Sequence, residues 1–190
     1  MDQEEARTRI LDAAERLFYA RGIQAVGMDE LRTAAGVSLK RLYQCFPAKH
    51  DLVEAYLRRR DARWRAALAE YVEGHAGAPG GRPLAVFDWL HGWFAAPDFR
   101  GCAFLNSFGE LGDSGGVGRV AREHKRALLG YLTGLVGALP VAEPEAVAAQ
   151  LALLVDGAIS TAALTGDPAA ARHARTAAES LLAAAGAREA

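Results

Sequence analysis

A short run of cationic and hydrogen-bonding side chains carries the clearest chemistry in this chain. Lys40, Arg41, Tyr43 and Gln44 all lie within one segment of five consecutive residues. Lysine and arginine side chains bind phosphates and base edges, and polar side chains such as glutamine add hydrogen bonds. A short helix that projects these groups from its outer faces suits the major groove of DNA. The segment therefore predicts a DNA-contacting surface.

Two short helices joined by a tight turn must position these side chains. Gly36 can adopt the left-handed conformation that ends a first helix, and the hydroxyl of Ser38 can cap a second. The inward-facing positions of the two helices are apolar: Met28, Leu31, Ala35, Leu42 and Phe46. The spacing predicts a helix-turn-helix. A surface helical hairpin with ordinary solvated charges has the same spacing and remains the alternative.

Segments before and after this pair match a known pattern. They read Arg-Thr-Arg-Ile-Leu-Asp-Ala-Ala-Glu-Arg-Leu-Phe, Arg-Gly-Ile-Gln-Ala-Val and Leu-Tyr-Gln-Cys-Phe-Pro-Ala-Lys-His-Asp-Leu. From Arg7 to Leu57 the chain resembles the DNA-binding domain of TetR-type transcriptional regulators. Ile10, Leu11, Ala14, Leu17 and Phe18 recur at helical spacing, which predicts a first helix over about Glu4 to Arg21 with one apolar stripe. The resemblance implies that this helix packs across the helix pair. The implied DNA-binding residues are Thr33, Ser38, Leu39, Lys40, Arg41, Tyr43, Gln44 and Lys49.

The chain departs from the usual family pattern in three places. Gly27 and Ala48 stand where relatives commonly have Thr and Ser, so two capping hydroxyls are missing. Asp51 can partly compensate for the second through the helix dipole. Leu39-Lys40-Arg41 stands where relatives often read Lys-Gly-Thr. We expect the fold to survive these changes, but the DNA sequence preference cannot be copied from a relative.

Composition agrees with a DNA-binding protein that relies on a local patch. The formal net charge is −1, yet residues 1–60 hold 11 Lys and Arg against 9 Asp and Glu. The two cysteines, Cys45 and Cys102, cannot form a disulfide framework and suit a reducing compartment. No apolar run approaches the roughly 20 residues of a membrane span, and the acidic start is unlike a signal peptide. We expect a cytoplasmic protein with no membrane partner, cofactor or metal.

The remainder of the chain reads as helical, which predicts an all-α fold. A long helix from Lys49 to about residue 73 connects an N-terminal helix-turn-helix domain, residues 1–48, to a second helical domain, residues 49–190. The Gly- and Pro-rich segment 75–83 is the one clear break. In related regulators the second domain binds a ligand and forms the dimer.

The middle of the chain is dense in aromatic side chains. Aromatics at helical spacing are most often plain core. TetR-type proteins, however, enclose an apolar small molecule with these helices. The resemblance thus implies a pocket for an apolar or amphipathic inducer, lined by Trp64, Trp89, Trp93, Phe104, Phe108, His124 and Tyr131.

Cys102 offers a different kind of sensor. The segment Arg100-Gly101-Cys102-Ala103-Phe104-Leu105-Asn106 resembles one found in a subset of these regulators, some of which sense electrophiles or oxidants. A thiol at a helix start with an arginine nearby in sequence favours the thiolate. A buried structural cysteine is the alternative interpretation.

The last two predicted helices carry small and branched apolar residues. Such helices approach closely and can pair with their copies in a two-fold interface. Family members are usually dimers built from this pair. The predicted interface residues are Leu151, Leu154, Ala158, Ala162, Ala174, Ala178 and Leu181. The alternative is that these residues complete the core of a single chain.

These patterns together predict a ligand-responsive repressor rather than an enzyme. It would bind a palindromic operator as a dimer and be released by a small inducer; redox sensing through Cys102 is the alternative trigger. No His-Glu-x-x-His, Gly-x-Ser-x-Gly or phosphate-binding glycine motif occurs in the sequence. An all-helical carrier or an enzyme without DNA binding is the alternative of another class.

Overall fold

The structure, a computed structural model, describes residues 2–75 and 81–186. The described residues form helices joined by short connections, with no strand among them, as predicted. The predicted break at 75–83 falls largely on residues 76–80, which lie outside them. The helices are α1 (Gln3–Arg21), α2 (Met28–Ala35), α3 (Leu39–Cys45), α4 (Lys49–His75), α5 (Arg82–Phe94), α6 (Ala103–Leu111), α7 (Val117–Gly137), α8 (Pro144–Thr165) and α9 (Ala169–Ala184); a short 3-10 helix, Ser114–Gly116, precedes α7.

The helices form two compact units whose limits differ from the predicted domain boundary at residue 48. The first unit comprises residues 1–63 and 103–124, and the second comprises residues 64–102 and 125–190. Helices α4 and α7 therefore each contribute to both units. The division reflects packing: α6 and the start of α7 are part of the unit that contains the helix-turn-helix. The functional boundary at residue 48 stays a prediction.

The first unit is built on α1, which packs against both α2 and α3. Its buried residues recur along one stripe: Ala6, Ile10, Leu11, Ala13, Ala14 and Phe18. Asp2 caps α1 by accepting a hydrogen bond from the Glu5 amide at 2.8 Å, and Phe18 meets the ring of Tyr56 edge-on. The stripe follows the helical period that the sequence predicted.

Salt bridges hold α4 against α1 within the first unit. The guanidinium of Arg59 lies 2.6 Å from Asp12 and 3.0 Å from Glu15, and Arg63 lies 2.9 Å from Glu15. Arg60 stacks over the ring of Tyr19. The run of arginines at the middle of α4 therefore stabilises helix packing.

The second unit is centred on α8 and α9, which pack on each other and on α5. Most of the residues predicted for the dimer interface face this core: Leu151, Ala158, Ala162, Ala174 and Ala178 are buried within the chain itself. Burial within the chain favours the alternative core interpretation for these five, because a side chain already covered by its own chain offers little surface to a partner. The interface itself stays a prediction. Leu154 and Leu181 are half-buried.

Helix α8 is long and apolar enough to cross a membrane by length and composition alone. One such helix is weak evidence for a membrane span, because core helices of soluble proteins meet the same test. Here α8 packs against α9 and α5 within the second unit.

Candidate nucleic-acid interface

The turn between α2 and α3 sets the position of the predicted DNA-contacting helix. Gly36 has a left-handed φ of 67°, and the amide of Val37 donates to the carbonyl of Arg32 at 3.0 Å. The Ser38 hydroxyl then accepts a hydrogen bond from the Arg41 amide at 3.2 Å, which caps α3. A serine cap contributes about 0.5–2 kcal/mol, a large share of the stability of so short a helix. Gly27 has no side-chain cap, as its residue type predicts.

The outer face of α3 presents the predicted reading residues to solvent. Lys40 and Gln44 are exposed, and Leu39 and Tyr43 are 42% and 45% exposed. Arg41 is half-buried. Leu42 and Cys45 face inward and are buried. This side of α3 thus combines a cation, an amide, a phenol and an aliphatic side chain.

Helix α1 holds the end of α3. The guanidinium of Arg7 donates to the Cys45 carbonyl at 3.2 Å and lies 4.4 Å from the centroid of the Phe46 ring. A carbonyl at a helix end lacks a partner within its helix. Arg7 therefore fixes α3 in place, a role that its position in the sequence did not reveal.

Two predicted DNA contacts already have partners within the chain. The Thr33 hydroxyl donates to the Asp29 carbonyl at 2.9 Å but remains exposed. The Lys49 ammonium donates to the Ile23 carbonyl at 2.6 Å, and burial lowers the pKa of Lys49 although Glu110 opposes this shift. Asp51 accepts from the Ala48 amide at 3.0 Å, which is the reciprocal half of a capping box and holds the start of α4 although the hydroxyl is missing.

A carboxylate from α6 binds the connection between α1 and α2. Glu110 accepts from the amides of Ile23, at 3.1 Å, and Gln24, at 2.8 Å. The Gln24 side chain donates in return to the Glu110 carbonyl. Gly22 has a φ of 86°, and a Cβ there would lie 2.9 Å from the carboxylate. We call this arrangement the Glu110 latch. Sequence reasoning missed it, because its partners are more than eighty residues apart.

The predicted pocket residues divide between the two units. In the second unit, Trp64 packs against Trp89 and Trp93, with ring centroids 5.0 and 5.7 Å apart. Burial raises the pKa of Tyr131 in the same unit, and the nearby charge of Glu73 adds to this rise. We name the three tryptophans the tryptophan cluster. The cluster supplies half-buried aromatic surface, since Trp64, Trp89 and Trp93 are each neither fully covered nor fully exposed.

The remaining predicted pocket residues belong to the first unit. His124 is buried, stacks on Phe104 with centroids 3.8 Å apart, and places Nδ1 2.7 Å from an Asp61 oxygen. Phe108 is exposed on α6. His124 thus joins α4 to α7 through its contact with the half-buried Asp61, which is a structural role.

A cavity of about 350 Å³ lies in the first unit, where none was predicted. It is lined by Ile23, Gln24, Lys49, His50, Val53, Leu111, Ser114, Gly115 and Val117. None of the residues predicted to line a pocket is among them. Its walls come from the α1–α2 connection, the start of α4 and the joint between α6 and α7.

Cys102 immediately precedes α6 and is only 7% exposed. The Arg100 guanidinium donates to the carbonyls of Pro97 and Phe99. A redox sensor needs an accessible thiol. The burial of Cys102 favours the structural interpretation.

In the part of the chain that the structure describes, no three His, Cys, Asp or Glu side chains form a group that could hold a metal ion. What the first unit does offer is a capped helix, braced by α1, with hydrogen-bonding and cationic groups on its outer face. This geometry defines a helix-turn-helix protein whose short second helix can enter a DNA groove.

Comparison with known proteins identifies the family. Residues 10–56 match the family described as "Bacterial regulatory proteins, tetR family". The crystal structure of SCO4454, a TetR-family transcriptional regulator from Streptomyces coelicolor, is similar over 96% of each chain, with 34% identity and a TM-score of 0.88. The chain belongs to the TetR family. It is a regulator of the helix-turn-helix class and not an enzyme.

Two curated relatives resemble the N-terminal part. Rv1255c of Mycobacterium tuberculosis, an uncharacterized HTH-type transcriptional regulator, is 47% identical over 60 residues, which are 32% of this chain and 30% of the relative. The HTH-type transcriptional activator FasR of Mycolicibacterium smegmatis is 44% identical over 59 residues, 31% of this chain and 27% of the relative. This chain therefore spans less than a third of either curated relative.

Proposed function

We propose that the protein is a cytoplasmic, dimeric repressor that binds a palindromic operator and is released by a small apolar or amphipathic inducer. The observation that carries the proposal is the outward display of Lys40, Tyr43 and Gln44 on a capped second helix in a TetR-family chain. Thr33, Ser38, Leu39 and Arg41 flank these groups on the same pair of helices. Lys49 lies at the start of α4, beyond the reading helix.

The proposed dimer uses the outward face of α8. Leu153 and Leu164 are 72% and 88% exposed, and Gly157 and Ser160 lie between them at helical spacing. Small residues between two large apolar ones allow a second helix to approach closely. We name Leu153, Gly157, Ser160 and Leu164 the α8 stripe. Leu154 and Leu181, which were predicted for the interface and are half-buried, remain part of this proposal.

The proposed inducer contacts the tryptophan cluster. Aromatic walls with few polar groups are typical of sites for apolar ligands. The alternative trigger, oxidation or alkylation of Cys102, would first require exposure of a buried thiol. The tryptophan cluster is therefore the better-supported sensor.

A gel shift against DNA flanking the gene, at several salt concentrations, tests DNA binding. Replacing Lys40 or Arg41 by Ala should weaken operator binding by about 1–3 kcal/mol if each side chain contacts a base edge with two hydrogen bonds. Tyr43→Phe should weaken binding to all DNA sequences by a similar amount, as loss of a phosphate contact does.

Lys125→Ala supplies the matched control, because it removes a cation that pairs with Asp156 in the second unit. It should bind DNA like the parent. If the Lys40, Arg41 and Tyr43 variants also bind like the parent at every salt concentration, α3 is not the reading helix.

A further inference from the structure

The cavity of the first unit has the composition of a small-molecule site. Its volume of about 350 Å³ lies within the range of ligand pockets. Ile23, Val53, Leu111 and Val117 give it an apolar wall, and the set of lining residues includes no acid. Val53 and Val117 are buried, so this wall is part of the folded core.

Lys49 determines which polar group an occupant needs. An ammonium has three N–H donors and no acceptor. Among the described residues, Lys49 gives one hydrogen bond, to the Ile23 carbonyl. Glu110 lies near enough to influence Lys49, but its carboxylate accepts from the amides of Ile23 and Gln24. Lys49 therefore retains donors that a ligand acceptor can use, and a carboxylate is the strongest acceptor for them.

Two further polar groups on the wall are already engaged. The Ser114 hydroxyl donates to the Leu111 carbonyl, and the His50 ring lies 3.1 Å from an Asp51 oxygen. Gly115 approaches so closely that a Cβ there would lie 2.9 Å from the Cβ of His50. The joint before α7 thus packs tightly on α4 beside the cavity, and Lys49 is the cation that would recognise an anion.

The cavity adjoins the Glu110 latch. Ile23 and Gln24 line the cavity and also donate the amide hydrogen bonds of the latch. The Ile23 carbonyl accepts from Lys49. A ligand that draws the Lys49 ammonium away from this carbonyl would alter the segment that leads into α2.

We propose that this cavity is an effector site for a small apolar monocarboxylate, which binds through Lys49 and lowers DNA affinity. Binding itself is independent of the function proposed above, whereas the effect on DNA rests on it. The carboxylate would compete for the Lys49 donors that a DNA phosphate would otherwise use. It would also loosen the α1–α2 connection that the latch holds. The effect on DNA can be no larger than the difference in the ligand's affinity between the two states.

Methyl NMR on the full chain tests the site directly. The chain has three isoleucines, of which Ile23 lines the cavity, Ile10 lies in the α1 core and Ile159 in the second unit. The probes are benzoate, cinnamate and octanoate, each compared with its primary amide. We expect saturable shifts of the Ile23 methyl with at least one acid, weaker shifts with its amide, and little change at Ile159.

Two substitutions distinguish the contribution of the Lys49 charge to ligand binding from that of the apolar cavity. Lys49→Met should abolish the preference for acid over amide, and Val53→Phe should block both by filling the space. Lys40→Met, which removes an exposed cation of the same unit, should retain the Ile23 shift. Equal binding of acid and amide would overturn the role of Lys49. Shifts confined to Ile159 and the indole signals would show that the ligand binds in the second unit instead. If none of the probes causes a response, the proposed site is overturned.

The effect on DNA is measured separately. The acid that shifts Ile23 should weaken operator binding by at least about fivefold, the lower end of typical allosteric coupling. If the acid binds without any change in DNA affinity, the proposed regulation is refuted but the proposed binding site still stands. If the protein binds no DNA at all, the function proposed above fails while the NMR result still stands.

Discussion

The side chains on α3 differ in what they can read on DNA. Lys40 and Gln44 are hydrogen-bonding groups, whereas Leu39 is an exposed aliphatic side chain at the start of the same helix. The residues that reach base edges in a helix-turn-helix lie toward the N-terminus of the second helix. An apolar side chain there recognises the thymine methyl group, which no hydrogen bond can sense.

Leu39 should therefore favour thymine at one position of each half-site. Replacing that thymine by uracil removes the methyl group alone and should weaken binding of the parent protein. Leu39→Ala should bind the two DNAs with similar affinity. Competition gel shifts over each thymine of the operator measure this difference. A parent protein that is indifferent to uracil at every thymine would rule out methyl recognition by Leu39.

Helix α8 has two apolar faces, and among the described residues only one of them is packed within the chain. Leu151, Val155 and Ile159 are covered by the second unit, whereas Leu153 and Leu164 remain in solvent. Exposed leucines are common singly, but two on one helical stripe with small residues between them resemble an interface. The α8 stripe is therefore where the dimer should form.

Leu153→Glu should dissociate the dimer, because it would place an unpaired charge in the contact. Loss of the dimer should also weaken operator binding, since each chain would then hold one half-site alone. Sedimentation at low micromolar concentration measures the first effect and a gel shift the second. The matched control is Leu105→Glu on α6, which changes an exposed leucine outside the stripe. A Leu153→Glu protein that stays dimeric would place the interface elsewhere.

Ala158→Glu should act differently, through the stability of the single chain. Ala158 is buried within the second unit, so a glutamate there would lack both space and a partner. We expect a lower urea midpoint rather than a folded monomer. A folded, monomeric Ala158→Glu protein would show that Ala158 belongs to the dimer interface.

The Glu110 latch connects α6 to the α1–α2 segment. Glu110→Ala would leave the Ile23 and Gln24 amides without their acceptor, at a cost of about 1–3 kcal/mol. Urea unfolding measures this loss, and faster hydrogen exchange of the two amides locates it. Glu70→Ala is the control, because Glu70 is an exposed residue of α4. Equal stability of the two variants would mean that the latch contributes nothing.

At the scale of the whole molecule, the proposed inducer binds at the tryptophan cluster and has to lower the affinity of α3 for DNA. Such a ligand should alter indole fluorescence and weaken operator binding over the same concentration range. Cys102→Ser should keep this response, because Cys102 is buried. If the parent releases DNA only with an oxidant or electrophile and Cys102→Ser never does, the thiol is the sensor.

The local structure of the reading unit could be predicted from the sequence. The left-handed Gly36, the Ser38 cap and the apolar stripe of α1 depend on residues close together in the chain. Backbone conformation, capping and helical period depend on residues a few positions apart, so they can be predicted from the order of the residues alone. The all-α fold came from the same patterns, whereas the family resemblance rested on the matching segments between Arg7 and Leu57.

Only the tertiary structure decided which surfaces face each other. Helix α8 is apolar on several sides, so its period could not choose between core and interface, and the neighbouring helices α5 and α9 cover one side. The latch pairs Glu110 with residues 23 and 24, and Lys49 turns toward Ile23. Contacts between distant residues depend on how helices pack, and that arrangement has no local signature in the sequence.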